Sequence, residues 1–268
     1  MNPNDSERGN RSGLPAIFAP LLLICCLASA PAAADCGCEG NMKAQLAQPV
    51  SDFDNRGAPL IPTLLLIADV YNLPMGIERV TQEALERPVE VKLEDGTLSR
   101  LLDICMAQLP GYTWTMRDGV VNVFGEQELT QASNLFNLVV PSFEVHQQDL
   151  NDANSDLRMT VLFLKERPAG VVGSYVGSSE FKGQPLTFAA RNLTVREILN
   201  GLVRLHGKSV WIARVPPEGL SRLPQAGLWQ LLPHSTHDPR GLLDPQLKPR
   251  PQKEGDKGNT EKTNPVHP

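Results

Sequence analysis

Two short stretches hold residue types at spacings on which chemistry could be built. Gly173-Ser174-Tyr175-Val176-Gly177 sets a hydroxyl among glycines. A Ser-His-Asp hydrolase needs such a nucleophile beside a base. It also needs a strand–elbow–helix setting and the G-x-S-x-G pattern, which this run lacks. The passage Gly170 to Gly177 therefore reads first as a loop, and its small residues would also suit a ligand-facing rim. Cys36-Gly37-Cys38 presents two thiols that could bind a soft metal or form a mixed disulfide. With no second cysteine or histidine pair nearby, a reactive or structural thiol pair is the simpler reading. His234, His237 and Asp238 are closely spaced but lie among prolines, whereas a metal site requires further ligands on an ordered scaffold.

The remaining candidates have plainer explanations. His206 ends an amphipathic helix, where it complements the dipole. Cys105 falls on an apolar helix face as a core residue. Trp114 and Trp211 could stack on a sugar, but their matched places within strands favour a core role. Trp229 lies outside both strands and is available for a surface contact. Asp69 and Glu94 have no helical spacing that would bring them together, so general acid–base catalysis is unsupported. No catalytic, cofactor-binding or metal residue is assigned, and no cofactor is expected.

The elements that must position these residues are organised around 87–123, where a strand, an amphipathic helix and a hairpin follow one another. Val89, Val91 and Leu93 alternate with Glu90 and Lys92, the period of a strand with one buried face. Thr97 is an N-cap. Leu98, Leu101, Leu102, Cys105, Met106 and Leu109 share one helix face, and Pro110-Gly111 stops it. Asp118-Gly119 suits a two-residue type I′ turn, pairing Met116 with Val121 and Trp114 with Val123. An offset of about 97 residues brings the pattern back: Pro88 falls on Pro185, Val91 on Phe188, Thr97 on Thr194, Leu102 on Leu199 and Trp114 on Trp211. Thr194 to Glu197 is a capping box, and Ser209 to Val215 closes the second copy with no second hairpin strand evident. Upstream, the same offset puts Thr63 on Thr160 and Gly76 on Gly173, a weaker extension. Further helices are expected at 63–71 and 149–165. Further strands are expected near 50–53, at 73–80 and at 135–145, the last interrupted at Pro141.

The chain has 268 residues, 41% hydrophobic and 21% charged, with a net charge of −5. Such a balance without a basic cluster argues against nucleic acid as a partner, and 5% aromatics are too few for base-stacking platforms. Arg8 and Arg11 precede an apolar run from Ile17 to Ala30 and the Ala32-Ala33-Ala34 end of an export signal, with cleavage expected before Asp35. Left uncleaved, that run would be the sole membrane contact. Cys36, Cys38 and Cys105 are then an odd set in an oxidising compartment. Ten of the 23 prolines fall after Val215, which predicts an extended tail, disordered at its end.

The order helix, strand, strand, helix, hairpin in Thr63 to Phe124 resembles the short N-terminal domain of secretins and TonB-dependent receptors. The residues that carry the resemblance are Leu64-Leu65-Leu66-Ile67-Ala68, Met75-Gly76-Ile77, Val89-Glu90-Val91, Thr97-Leu98-Ser99-Arg100-Leu101-Leu102 and Tyr112-Thr113-Trp114. It covers about 60 residues, with a divergent second copy in roughly 135 to 215. The resemblance implies a periplasmic two-layer α/β module of a Gram-negative-type bacterium that docks to partner proteins or to a neighbouring copy. No pore-forming domain or receptor barrel follows, so neither channel nor transport activity is carried over.

The expected organisation is a signal peptide at 1–34, a lead segment at 35–58, an α/β unit at 59–125, a divergent repeat at 126–215 and a Pro-rich tail at 216–268. The expected fold is α+β, two tandem units of helices packed on small mixed sheets. The expected function is an exported, periplasmic or secreted binding module for envelope proteins, with the sheet edges beside Val89 and Ala213 as contact surfaces. The alternatives are an envelope hydrolase using the Gly170 to Gly177 loop and a thiol or metal-handling protein working through Cys36 and Cys38.

Overall fold

The computed structural model describes residues 36–126, 128–165, 184–214 and 229–235, all within one compact unit. A first pass of the chain runs α1 (Cys36–Leu46), β1 (Pro49–Pro59), α2 (Leu60–Val70), β2 (Met75–Val80), the short α3 (Gln82–Glu86), β3 (Pro88–Thr97), α4 (Leu98–Ala107), β4 (Tyr112–Arg117) and β5 (Val120–Gly125). A 3-10 turn at Leu135–Asn137 leads into a second pass: β6 (Val139–Gln148), α5 (Leu150–Lys165), β7 (Leu186–Thr194), α6 (Val195–His206), β8 (Ser209–Arg214) and β9 (Trp229–Pro233). The class is α+β, helices on small mixed sheets.

Local chemistry sets the joints. Thr97 accepts a hydrogen bond from the Arg100 N–H at the start of α4. Thr194 and Glu197 form a reciprocal capping box on α6, and Gly207 ends that helix in the left-handed conformation. Asp118 and Gly119 both have positive φ, as a type I′ turn demands. Met116 accordingly sits opposite Val121, and Trp114 opposite Val123.

Each pass opens with the same antiparallel ribbon. β1 pairs with β3, Pro49 opposite Thr97, and β6 pairs with β7, Val139 opposite Thr194. At the end of each ribbon the first helical N–H bonds back across it. Leu98 donates to the Gln48 carbonyl at 3.1 Å and Val195 to the Leu138 carbonyl at 3.0 Å. The helices therefore leave their ribbons in the same way.

The two passes then share one five-stranded sheet, ordered β4-β5-β2-β8-β9. Parallel pairings of β2 with β5 and with β8 join the two hairpins. Met75, Ile77, Val121, Val123, Val210 and Ile212 face one core with α2 and α4. Trp211, Ala213, Trp229 and Leu231 face a second core with α5 and α6. The molecule is thus layered helix, sheet, helix, and β2 is buried on both sides.

Several details differ from the sequence reading. The lead segment forms α1 and the whole of β1, and the connector at 81–86 contains α3, capped by Thr81. β6 runs through Pro141, which an edge strand with a single partner tolerates. The upstream halves of the passes do not follow the offset of the downstream halves. Leu60 opens α2 where Leu150 opens α5, so Thr63 and Thr160 are not equivalent. Within the Pro-rich tail, Trp229–Pro233 is an ordered strand that supplies the missing partner of β8. Apolar Trp229, Leu231 and Leu232 drive this despite the flanking prolines.

Candidate functional site

The two tryptophans of the repeat are held alike and covered differently. Trp114 projects from β4 and donates from Nε1 to Asp103 Oδ1 on α4 at 2.9 Å. Trp211 projects from β8 and donates to Asn200 Oδ1 on α6, also at 2.9 Å. Asp103 and Asn200 are related by the same offset as the tryptophans. Trp211 is fully buried, stacked on Phe136 with ring centroids 5.4 Å apart. Gly76 of β2 lies against its indole so closely that a Cβ there would fall inside the ring's contact distance. Trp114 is only half-buried, as are Tyr112 and Met116 on the same face of β4.

That half-burial follows from the place of β4 at the end of the sheet. The Glu126 N–H donates to the Gly111 carbonyl, so the alternate residues Gly111, Thr113, Thr115 and Arg117 turn their backbone groups toward β5. The backbone groups of Trp114 and Met116 point the other way. Among the described residues, no strand pairs with that edge.

Two other strand edges are guarded by side chains. On β3, the Gln108 amide accepts from the Glu90 N–H at 2.7 Å and donates to the Glu90 carbonyl at 2.9 Å. On β9, the Arg158 guanidinium donates to the Trp229 carbonyl while stacking over the indole, 5.3 Å from its centroid. The contact surfaces expected beside Val89 and Ala213 are therefore corrected. Val89 is paired with Ala58 on a strand whose other side Gln108 covers, and Ala213 lies on an interior strand between β2 and β9. Trp229 is likewise no surface residue. It is fully buried, donates to Asn154 at 2.9 Å and meets Phe136 edge-on.

A buried polar network ties the passes together. Glu78 on β2 and Arg196 on α6, each 2% exposed, form an ion pair. Arg196 reaches Glu78 Oε2 at 2.9 Å and Asn137 at 2.6 Å. Asn134 donates to the same carboxylate at 3.3 Å. This is a structural clamp, with every charge matched.

The chemical candidates are accounted for as follows. Gly170 to Gly177, His237 and Asp238 lie outside the described residues, as do the side chains of Cys36 and Cys38, whose backbone belongs to α1. Cys105 is buried, and burial pushes its thiol up to about 12, leaving it protonated and inert at neutral pH. His234 is also buried and lies near Asp69 and His206; burial lowers its pKa. Its Nε2 sits 3.2 Å from the backbone carbonyl of Ser209. The Ser209 hydroxyl itself makes no hydrogen bond, so the imidazole meets the Ser209 backbone and not its hydroxyl. Among the described residues, no group of three histidine, cysteine or acidic side chains could hold a metal ion, and no helix is long and apolar enough to cross a membrane. The sequence reading missed the clamp and the guarded edges. Gln108 and Arg158 carried no signal, because edge-capping depends on partners distant along the chain.

Comparison with protein-family models, with curated proteins and with solved structures finds no match to this chain.

Proposed function

We propose that this chain is an exported envelope protein whose work is to bind other proteins through its surface. The observation that carries the reading is the edge of β4. There Tyr112, Trp114 and Met116 are half-covered and the backbone groups of Trp114 and Met116 face outward, while β3 and β9 have their edges capped by Gln108 and Arg158. Folded proteins blunt strand edges that must not pair. An edge that no described strand pairs with, flanked by aromatic side chains, suits addition of a partner strand, with backbone hydrogen bonds supplying affinity and the flanking side chains specificity.

The Arg8 to Ala34 signal pattern and the resemblance of Thr63 to Phe124 to the secretin and TonB-receptor short N-terminal domain support the same reading. Both point to a periplasmic or secreted protein of a Gram-negative-type bacterium that meets envelope partners. The experiment is capture of partners by the mature chain, from Asp35 onward, out of an envelope extract of its own organism, followed by mass spectrometry. A defined set of envelope proteins enriched over a control bait is the expected result. No enrichment, with the bait folded by circular dichroism, contradicts the reading.

A further inference from the structure

We propose that the edge of β4 left unpaired among the described residues receives an extended segment of another protein, running parallel to β4 and placing a glycine opposite Trp114. The proposal rests on the binding reading above and names its site and its class of partner.

The chain supplies its own template. β8 is the counterpart of β4 in the second pass, with Trp211 in the place of Trp114 and Arg214 in the place of Arg117. The His234 N–H donates to the Lys208 carbonyl, so Lys208, Val210, Ile212 and Arg214 face β9, and Trp211 and Ala213 face the opposite edge. On β8 that edge is filled. β2 lies along it in parallel, with Met75 beside Val210, Gly76 beside Trp211 and Ile77 beside Ile212. Gly76 is required there, because any Cβ would enter the indole, and the ring is pinned by Phe136 and Asn200.

On β4 the same indole is pinned by Asp103, the same backbone groups face outward, and among the described residues no strand pairs along that edge. The half-exposure of Trp114 is the gap that the counterpart of Gly76 would close. The occupant therefore needs a glycine opposite Trp114, since even a Cβ would meet the ring. Its neighbours would stand beside Thr113 and Thr115, which replace Val210 and Ile212, so polar or β-branched residues fit there. β2 of a second copy cannot serve, because β5 and β8 already take both its edges. The occupant is a free segment.

The test uses a fluorescein-labelled synthetic peptide with the sequence of Leu73 to Thr81, titrated into the mature chain and followed by anisotropy, with amide hydrogen exchange read at Trp114 and Met116. Saturable binding that slows exchange at those two amides is expected. The Gly76→Val peptide should bind about tenfold more weakly or worse, the cost of forcing a branched side chain against a fixed ring. Met116→Pro in the protein should remove binding, because it deletes an outward N–H on an edge strand that otherwise tolerates proline. The peptide variants keep the test decisive if that protein variant misfolds. Equal binding of the Gly and Val peptides, no binding, or protection appearing elsewhere overturns the proposal. Protection of Trp114 and Met116 in the peptide-free chain also overturns it, because the chain's own residues would then fill the edge. Capture of envelope proteins that is indifferent to excess peptide would sink the edge and leave the binding reading standing. Peptide binding without any envelope partner would do the reverse.

Discussion

Gly76 shows how one residue can be fixed by a partner far along the chain. Its lack of a side chain lets β2 lie against the indole of Trp211, which Phe136 and Asn200 hold in place. Gly76→Val should destabilise the protein by about 1–3 kcal/mol, the usual cost of overpacking a core, read as a lower midpoint in urea denaturation. Burial is the main cause lowering the pKa of His206 and of His234, although the Ser209 carbonyl and Asp69 pull His234 back. Their folded pKa values thus lie below the unfolded value near 6.5. Below about pH 6.5 the unfolded chain binds the extra protons, so stability is full above that point and falls as pH drops through the folded values. Thermal midpoints should decline from about pH 7.5 to about pH 5, and His234→Gln should flatten part of that decline. A rise on acidification would contradict this. The tryptophan match was legible from spacing alone. The unequal cover of Trp114 and Trp211 was not, because cover comes from β2 and Phe136, neither of which the offset links to them.

The elements of the downstream halves could be read closely, since their apolar periods, threonine caps and Asp118-Gly119 turn all agree. The strand β9 escaped, and β2, expected at 73–80 and found at Met75–Val80, was legible as a strand but not in its two-sided burial. β9 is five residues long among prolines, and composition hid its three buried apolar side chains. β2 is buried on both faces, so Glu78 breaks the alternation expected of a half-buried strand. Arg196 entered the sequence reading only as part of the Thr194 to Glu197 capping box, with no signal of a partner on β2. The Glu78–Arg196 pair fastens α6 to the strand shared by both hairpins. Arg196→Met should cost about 3–5 kcal/mol, because it strands a buried carboxylate. Adding Glu78→Leu should restore most of that loss, since an apolar pair of similar volume removes the unmatched charge. Urea denaturation of the single and double variants measures both. A mild single-variant effect would show that the pair is not closed to water.

At the scale of the molecule, the repeat was visible but its assembly was not. The two passes share one sheet, with their helices on opposite faces. Strand order depends on pairing between segments distant in sequence, which periodicity does not encode. A shared sheet predicts a single unfolding transition, with tryptophan fluorescence and far-ultraviolet circular dichroism coincident in urea. Two separate transitions would mean the passes are independent bodies. The central claim is that corresponding edges of the repeat differ: β2 closes that of β8, and among the described residues no strand closes that of β4. Native-state amide hydrogen exchange of the chain without any added peptide tests it directly. The amides of Trp211 and Ala213, which face β2, should be strongly protected, and those of Trp114 and Met116 should exchange far faster. Equal protection at all four would contradict the account.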